Sequence, residues 1–157
     1  MIAGDWVKVR AIYVDGIATG QATFETEAPA WEDWDNAHSP APRLVAISEE
    51  GIVGWAALNP VSRRSVYSGV AEVSVYVDQS ARGEGVGRAL LDSLIVESRR
   101  SGFWTLQASI FPENTATLRL HTSCGFRTVG TREHIAQLNG IWRHTVLLER
   151  RIRTDVS

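Results

Sequence analysis

Three glycines at alternate positions, Gly83, Gly85 and Gly87, follow Arg82 and form the segment best suited to bind a ligand. The preceding run, residues 70–77, is β-branched and aromatic, and the following residues repeat apolar side chains at helical spacing. This order predicts a strand, a turn and a helix. Glycine lets a ligand approach the backbone, and the free amides at a helix N-terminus attract anions. The segment therefore predicts a phosphate site, although a glycine-rich turn without a ligand has the same composition.

The spacing of the glycines argues against two common phosphate-binding motifs. No Lys-Ser or Lys-Thr pair follows them, so the segment lacks the residues with which a P-loop contacts phosphates and magnesium. The spacing Gly83-x-Gly85-x-Gly87 also differs from the G-x-G-x-x-G pattern of dinucleotide-binding folds. Nucleotide hydrolysis and NAD binding are therefore not indicated.

The composition is typical of one globular domain, which we place at residues 1–157. The chain is 44% hydrophobic and 22% charged, with a net charge of -2, and this balance predicts no nucleic-acid or membrane partner. The single cysteine, Cys124, has no partner for a disulfide or a metal site, and we expect it to pack as a small hydrophobe. No segment resembles a signal peptide or a membrane span. We therefore expect a cytoplasmic protein without bound metal.

Hydrophobic periodicity predicts the elements that must position the glycine segment. The predicted order is helix 4–19, a short helix from Pro29 that ends before Pro40, strands 44–48 and 52–58, strand 70–77, helix 86–101, strand 103–111, helix 114–123, a strand beginning at 125–130 and a last strand 142–152. This order favours an α/β (α+β) fold in which helices cover a mixed sheet. In such a fold the ligand lies at the strand ends, where helix N-termini point.

Several segments resemble one protein family. The run Arg82-Gly83-Glu84-Gly85-Val86-Gly87 is similar to the coenzyme A pyrophosphate loop of the GNAT N-acetyltransferases. Segments at 11–13, 22–26, 71–77, 120–126 and 140–142 resemble the phosphinothricin and methionine sulfoximine acetyltransferase branch in content and order. The resemblance implies a mostly antiparallel sheet with a splayed strand pair that binds acetyl-CoA. Because the chain begins with a helix, we expect the family's first strand to be missing or truncated.

The resemblance implies acetyl transfer from acetyl-CoA to the α-amine of a small amino acid such as phosphinothricin or methionine sulfoximine. This reaction needs a base for the amine, a donor for the oxyanion and a proton for the thiolate. Glu72 matches the acidic residue on the family's central strand and is the candidate base, although strand glutamates are more often exposed or paired. His121 stands where many GNAT enzymes have a tyrosine that acts as the acid for the thiolate. Its imidazole could act as base or acid, or be a histidine of the helix surface.

The resemblance also implies which residues contact the cofactor. Backbone groups of Val75 and Val77 would bind the pantetheine amides as an added strand does. Asn114 would hydrogen-bond the pantetheine arm, although asparagine at this position also suits the N-cap of the next helix. The expected cofactor-binding residues are Val75, Tyr76, Val77, Arg82, Gly83, Glu84, Gly85, Val86, Gly87, Arg88, Asn114 and Ser123.

The acceptor site is less well defined by the sequence. The expected substrate-binding residues are Phe24, Arg64, Tyr67 and Trp142, with Tyr13 and Arg63 also available. The six tryptophans are more typical of a core or a dimer interface than of ligand contacts. After Trp142 the chain departs from the branch, since Arg143-His144 stand where the branch tends to have an acid. The histidines without a motif, His38, His134 and His144, are expected at the surface or in loops.

Two other functions stay open. The same donor could acetylate another amine, such as a protein N-terminus or a polyamine, although the acidic residues at 25–27 and 32–35 are a limited signal for the latter. A non-catalytic acyl-CoA-binding module would keep the fold but would not need both Glu72 and His121. A homodimer is implied by the resemblance and not by any particular residue.

Overall fold

The computed structural model describes residues 1–152. Its helices are α1 Trp6–Ala18, preceded by a 3-10 turn at Ala3–Asp5, α2 Trp31–Ala37, α3 Val86–Arg100 and α4 Thr115–Ser123. Its strands are β1 Arg43–Ser48, β2 Gly51–Pro60, β3 Val70–Val77, β4 Thr105–Ile110, β5 Arg127–Leu138 and β6 Ile141–Arg151. The predicted order of elements is confirmed. Residues 153–157 of the expected domain lie outside the described part of the chain.

The six strands form one sheet in the order β1-β2-β3-β4-β6-β5. Only β3 and β4 pair in parallel, and the other four neighbouring pairs are antiparallel. Within residues 1–152 the first strand begins at Arg43, after two helices. The expected mixed, mostly antiparallel sheet with flanking helices is therefore confirmed. None of the helices within this range is long and apolar enough to cross a lipid bilayer.

Each face of the sheet packs against its own set of helices. On one face, buried Val73, Leu91 and Leu148 belong to a core that includes α3. On the other face, α1 and α2 pack on β2 around an aromatic core whose largest members are Trp6, Tyr13, Trp34 and Trp55. The expectation that tryptophans are more often core residues than ligand contacts is confirmed for these three tryptophans. Because side chains of a strand alternate, β3 contributes to both cores and also turns Glu72 to the α1 side. This strand therefore links the core to the site described below.

Some predicted boundaries differ from the structure. Helix α2 begins at Trp31 because Ala30 is extended, with ψ 160°. Strand β5 continues to Leu138 and returns as β6 through Asn139 and Gly140, whose φ angles of 51° and 79° suit a tight hairpin turn. The sequence indicated only the start of this strand, because its side chains show little alternation of apolar and polar residues. The hairpin is therefore longer than predicted.

His38 lies in the loop directly after α2, as expected, and is half-buried. Its ring stacks on Trp34 at a centroid distance of 4.0 Å, and its Nδ1 lies 2.7 Å from the Trp34 carbonyl oxygen. Burial lowers the pKa of His38, which keeps the ring neutral near pH 7. His38 thus packs against Trp34 at the edge of the aromatic core, where a neutral imidazole has a small desolvation penalty.

Candidate active site

A gap opens where strands β3 and β4 separate. The two strands pair at three positions only, ending with Glu72 opposite Gln107. Beyond this point β3 continues to Val77 and β4 to Ile110 without pairing with each other. Such a separation leaves backbone donors and acceptors free on both inner edges. The expected splayed strand pair is therefore present, with Glu72 at its apex.

The backbone groups of β3 that face the gap can be assigned to particular residues, and one of them, the Val77 carbonyl, accepts from Arg82 Nε at 3.4 Å. The amide of Asp78, directly after β3, donates to the Val53 carbonyl of β2 at 2.8 Å. Backbone groups alternate in direction along a strand, so the even-numbered residues of β3 turn toward β2 and the odd-numbered ones toward the gap. The residues whose backbone faces the gap are Val73, Val75 and Val77. This direction fits the expectation that Val75 and Val77 offer backbone groups to a ligand.

The gap is part of a cleft with a volume of about 660 Å³. It runs between β3, β4, the start of α3, one side of α4 and the loop after α1. Its lining includes Phe24, Glu25, Glu72, Val75, Tyr76, Val77, Arg82, Gly83, Gly85, Val86, Gly87, Ser109, Phe111, Asn114, His121 and Thr145. Most predicted catalytic and cofactor-binding residues therefore share one cavity.

The glycine segment forms one end of the cleft. Gly83 and Gly85 have φ angles of 79° and 83°, a conformation that L side chains rarely adopt, and Gly85 is the N-cap of α3. The first α3 amide with a helical acceptor is that of Ala89, which donates to the Gly85 carbonyl at 3.0 Å. Within the described residues, the amides at 86–88 have no such acceptor. They form, with the positive end of the helix dipole, a site suited to a phosphate group.

Glu72 is held in place by two donors from β4. Its Oε1 accepts a hydrogen bond of 2.8 Å from Ser109 Oγ and one of 3.3 Å from Gln107 Nε2. An ionised carboxylate only accepts hydrogen bonds, so both donors suit the charged form. Glu72 also lines the cleft. Neither Ser109 nor Gln107 was predicted from the sequence as part of the site. Their parallel register with Glu72 is a long-range pairing that residue patterns do not reveal.

His121 lies on α4, almost fully buried, and faces the cleft. Its Nδ1 is 2.8 Å from the Thr117 carbonyl oxygen, and its ring meets Phe126 edge-on at 5.1 Å. A carbonyl can only accept, so Nδ1 carries the proton of the neutral ring and Nε2 keeps its lone pair. Burial lowers the pKa of His121, which favours the neutral form near pH 7. The resting imidazole is thus a proton acceptor, and the burial of His121 excludes the alternative of a helix-surface histidine.

Asn114 joins two parts of the cleft. Its Oδ1 accepts from the Thr117 amide at 3.3 Å, which confirms that it caps α4, and its Nδ2 donates to the Gln21 carbonyl at 3.2 Å. One amide hydrogen and one acceptor site remain for a ligand. The cap and the predicted pantetheine contact are therefore compatible.

Aromatic side chains form the wall nearest α1. Phe24 packs edge-on against Phe111 at 4.9 Å, and Tyr76 stacks on Trp55 at 4.9 Å. Tyr13 contacts Tyr76 at 5.0 Å but does not line the cleft. Burial raises the pKa of Tyr13 to about 12 and also raises that of Tyr76. Both phenols are therefore neutral hydrogen-bonding groups, not bases.

Three predicted substrate residues lie outside this cleft. The Arg64 guanidinium lies 5.5 Å from the centre of the Tyr67 ring, in the segment before β3. Trp142 is 54% exposed on β6, opposite Gln137 of β5. None of the three is among the lining residues. Their aromatic and cationic character suggested ligand contacts, but the fold places all three outside the cleft lining.

Three predicted cofactor residues also lack a side chain in the cleft lining: Glu84, Arg88 and Ser123. Arg88 Nη2 donates to the Ser123 carbonyl at 3.4 Å and Arg88 Nε lies 3.5 Å from Asp92. Arg88 can therefore contribute its backbone amide, one of the three free amides at the start of α3, but not its side chain. Within residues 1–152, no group of three or more His, Cys, Asp or Glu side chains could hold a metal ion.

The resemblance to acetyl-CoA-dependent transferases implied a splayed strand pair, a glycine-rich helix N-terminus and a carboxylate on the central strand, and the structure has all three. The sequence profile of the Acetyltransferase (GNAT) family matches residues 7–126, and the chain belongs to this family. It is an acetyl-CoA-dependent N-acetyltransferase, and the resemblance to the GNAT family that the sequence indicated is confirmed.

Named relatives and solved structures cover most of the chain. Phosphinothricin N-acetyltransferase of Alcaligenes faecalis is 34% identical over 154 residues, 93% of this chain and 77% of that protein. L-methionine sulfoximine/L-methionine sulfone acetyltransferase of Pseudomonas aeruginosa is 32% identical over 142 residues, 85% and 81% of the two chains. The crystal structure of a phosphinothricin acetyltransferase (Pat) from Sinorhizobium meliloti in complex with AcCoA superposes with a TM-score of 0.86 at 27% identity, covering 96% and 85%.

Proposed function

We propose that this protein, a single N-acetyltransferase domain over residues 1–157, acetylates the α-amine of a small amino acid such as phosphinothricin or methionine sulfoximine. The observation that carries the proposal is the Glu72 carboxylate, oriented by Ser109 and Gln107 where β3 and β4 part. A base at this point can deprotonate an amine beside a thioester held in the gap. The names of the two relatives support the acceptor class.

The donor is bound mainly by backbone groups in this proposal. The amides at 83–88 hold the pyrophosphate, and the inward-facing groups of Val73, Val75 and Val77 pair with the pantetheine amides. Val77 is five residue steps along the strand from Glu72, about 16 Å of extended chain. An extended pantetheine arm has a comparable length. Pyrophosphate at the glycine end therefore brings the thioester near Glu72.

Glu72 and His121 share the proton transfers. Glu72 takes the first proton from the substrate ammonium, and the free amine attacks the thioester carbon, whose oxygen is stabilised by an inward-facing β3 amide. His121 Nε2 takes the second proton from the nitrogen. As the carbon–sulfur bond breaks, the imidazolium returns this proton to the thiolate. The products are the N-acetyl compound, the thiol of coenzyme A and one proton that leaves Glu72 for solvent.

A second candidate acceptor is an amine without a carboxylate, such as a polyamine or a protein N-terminus. Among the described residues, Arg82 at the glycine end is the one Lys or Arg side chain that lines the cleft. The opposite end carries the carboxylates of Glu25 and Glu72. This charge distribution favours a cation, and it gives the α-carboxylate of an amino acid no Lys or Arg partner at this end of the lining.

Thiol release from acetyl-CoA across a panel of amines distinguishes the two acceptor classes. The panel contains phosphinothricin, methionine sulfoximine, ordinary amino acids, spermidine and a short peptide with a free N-terminus. We expect the highest kcat/KM with phosphinothricin or methionine sulfoximine, and only background release with their N-acetylated forms. Turnover with spermidine or the peptide but with no amino acid would contradict the proposed acceptor.

We further propose a cytoplasmic homodimer that confers resistance by detoxifying such amino-acid inhibitors. Cys124, buried and unpaired, is typical of a reducing compartment. The edge strand β5 and its partner β6 expose the apolar side chains of Val129, Ile135, Ile141 and Trp142, and exposed apolar residues at a sheet edge suit self-association. Sedimentation velocity at micromolar concentration should give the dimer mass for the wild type and the monomer mass for Trp142→Glu. A monomeric wild type would contradict the dimer.

A further inference from the structure

Arg143 of β6 lies beside the cleft and contacts the loop that forms one of its walls. Its Nη1 donates to the Gly20 carbonyl at 3.0 Å, and its Nη2 donates to Gln21 Oε1 at 3.0 Å. The centre of its guanidinium lies 4.0 Å from the centre of the Phe111 ring. The side chain is 15% exposed. These contacts use two of the five N–H donors and one face of the guanidinium.

The contacted segment, residues 20–25, is here termed the acceptor loop. Gln21, Phe24 and Glu25 from this loop line the cleft. Phe24 packs on Phe111, the same ring that Arg143 covers, and Asn114 Nδ2 donates to the carbonyl of Gln21. Arg143 and Asn114 therefore bind two successive carbonyl groups of the loop. Together they fix it against the junction between β4 and α4.

The geometry of these contacts depends on arginine and not on positive charge alone. The ion pair with Glu113 is long, 3.4 Å, and the glutamate side chain is 57% exposed, so it contributes little. The hydrogen bonds to Gly20 and Gln21 use two different nitrogens of one planar group, which also stacks on an aromatic ring. A lysine ammonium cannot make all three contacts at once.

We propose that Arg143 is a positioning residue that clamps the acceptor loop against Phe111 and thereby sets the affinity of the cleft for the amine. The inference rests on the proposed function of the cleft as an amine acceptor site. Apart from Asn114, whose own bond to the Gln21 carbonyl does not involve Arg143, the donor site is built from β3 and the start of α3. Within residues 1–152 the hydrogen bonds and the ring contact of Arg143 go to other elements. Loss of the clamp therefore affects the amine and spares acetyl-CoA.

Steady-state kinetics separate the two substrates. For Arg143→Met we expect the amine KM to rise about tenfold and the acetyl-CoA KM to stay unchanged. A tenfold loss of affinity corresponds to the loss of about one charge-assisted hydrogen bond. Arg143→Lys should recover only a small part of this loss. Arg100→Met serves as control, because Arg100 is exposed at the far end of α3 and pairs with Glu97. An unchanged amine KM, equal rises for both substrates, or full recovery with lysine would overturn the clamp.

Hydrogen–deuterium exchange tests the clamp without any acceptor. In Arg143→Met we expect amides of residues 20–25 to exchange about tenfold faster than in the wild type, since the loop loses hydrogen bonds and stacking. Amides of α3 should exchange at the wild-type rate in the same sample. Faster loop exchange in Arg143→Met, together with no turnover of any amine by the wild type, would support the clamp and contradict the proposed function. Unchanged loop exchange would overturn the clamp whatever the activity.

Discussion

Replacement of Glu72 by glutamine is expected to lower kcat by about 100- to 10,000-fold, the usual range for a general base. The amide oxygen of glutamine can still accept the hydrogen bonds from Ser109 and Gln107, so the local structure should be retained. Only the capacity to take up a proton is lost. Thiol release with the preferred amine measures the effect.

Two controls make the result of Glu72→Gln interpretable. Coenzyme A should raise the Tm of the variant as much as that of the wild type, because Glu72 does not belong to the phosphate site. Glu50→Gln carries the same chemical change in the exposed turn between β1 and β2 and should turn over at the wild-type rate. A Glu72→Gln enzyme of undiminished kcat would remove this carboxylate from the mechanism.

Replacement of Gly85 by valine should abolish the thermal stabilisation by coenzyme A. Gly85 has a φ of 83°, where a β-branched residue is strained by about 1–2 kcal/mol, so the turn must change shape. The amides at the start of α3 then lose their common direction toward the phosphates. For the wild type, ligand at 100 times its Kd stabilises by about 2.7 kcal/mol. A thermal scan with and without coenzyme A measures the loss.

Gly102→Val is the matched control for Gly85→Val. Gly102 follows the other end of α3 and has a φ of 94°, and the space that a Cβ would occupy is open there, just as it is at Gly85. The two variants therefore suffer similar backbone strain, but only one lies at the cleft. We expect Gly102→Val to keep the full shift in Tm with coenzyme A. A persistent shift in Gly85→Val would show that the loop is not the phosphate site.

Local patterns were sufficient to predict most of the fold. The apolar spacing from Val86 to Ser98 gave helix α3, and the run 70–77 gave strand β3 with the bounds seen in the structure. The glycines could be placed at the turn between them because positive φ angles and free helix amides are properties of a short segment. These features depend on neighbours in sequence, and the sequence displays them directly.

The rest of the site depends on contacts between distant segments. Ser109 and Gln107 become partners of Glu72 only through the single parallel pairing of the sheet. Arg143 meets Gly20 across more than a hundred residues, so no spacing rule could relate them. Arg64, Tyr67 and Trp142 were predicted as ligand contacts from their aromatic or cationic side chains alone. Their distance from the cleft depends on the tertiary fold, which residue type does not reveal.

A crystal structure with coenzyme A tests the central claim most directly. We predict that the pyrophosphate lies within about 3 Å of the amides at 83–88 and that the pantetheine arm pairs with the inward edge of β3. The sulfur should then lie in the gap beside Glu72 and His121. Coenzyme A bound elsewhere, or in this cleft with its sulfur directed away from Glu72, would contradict the account.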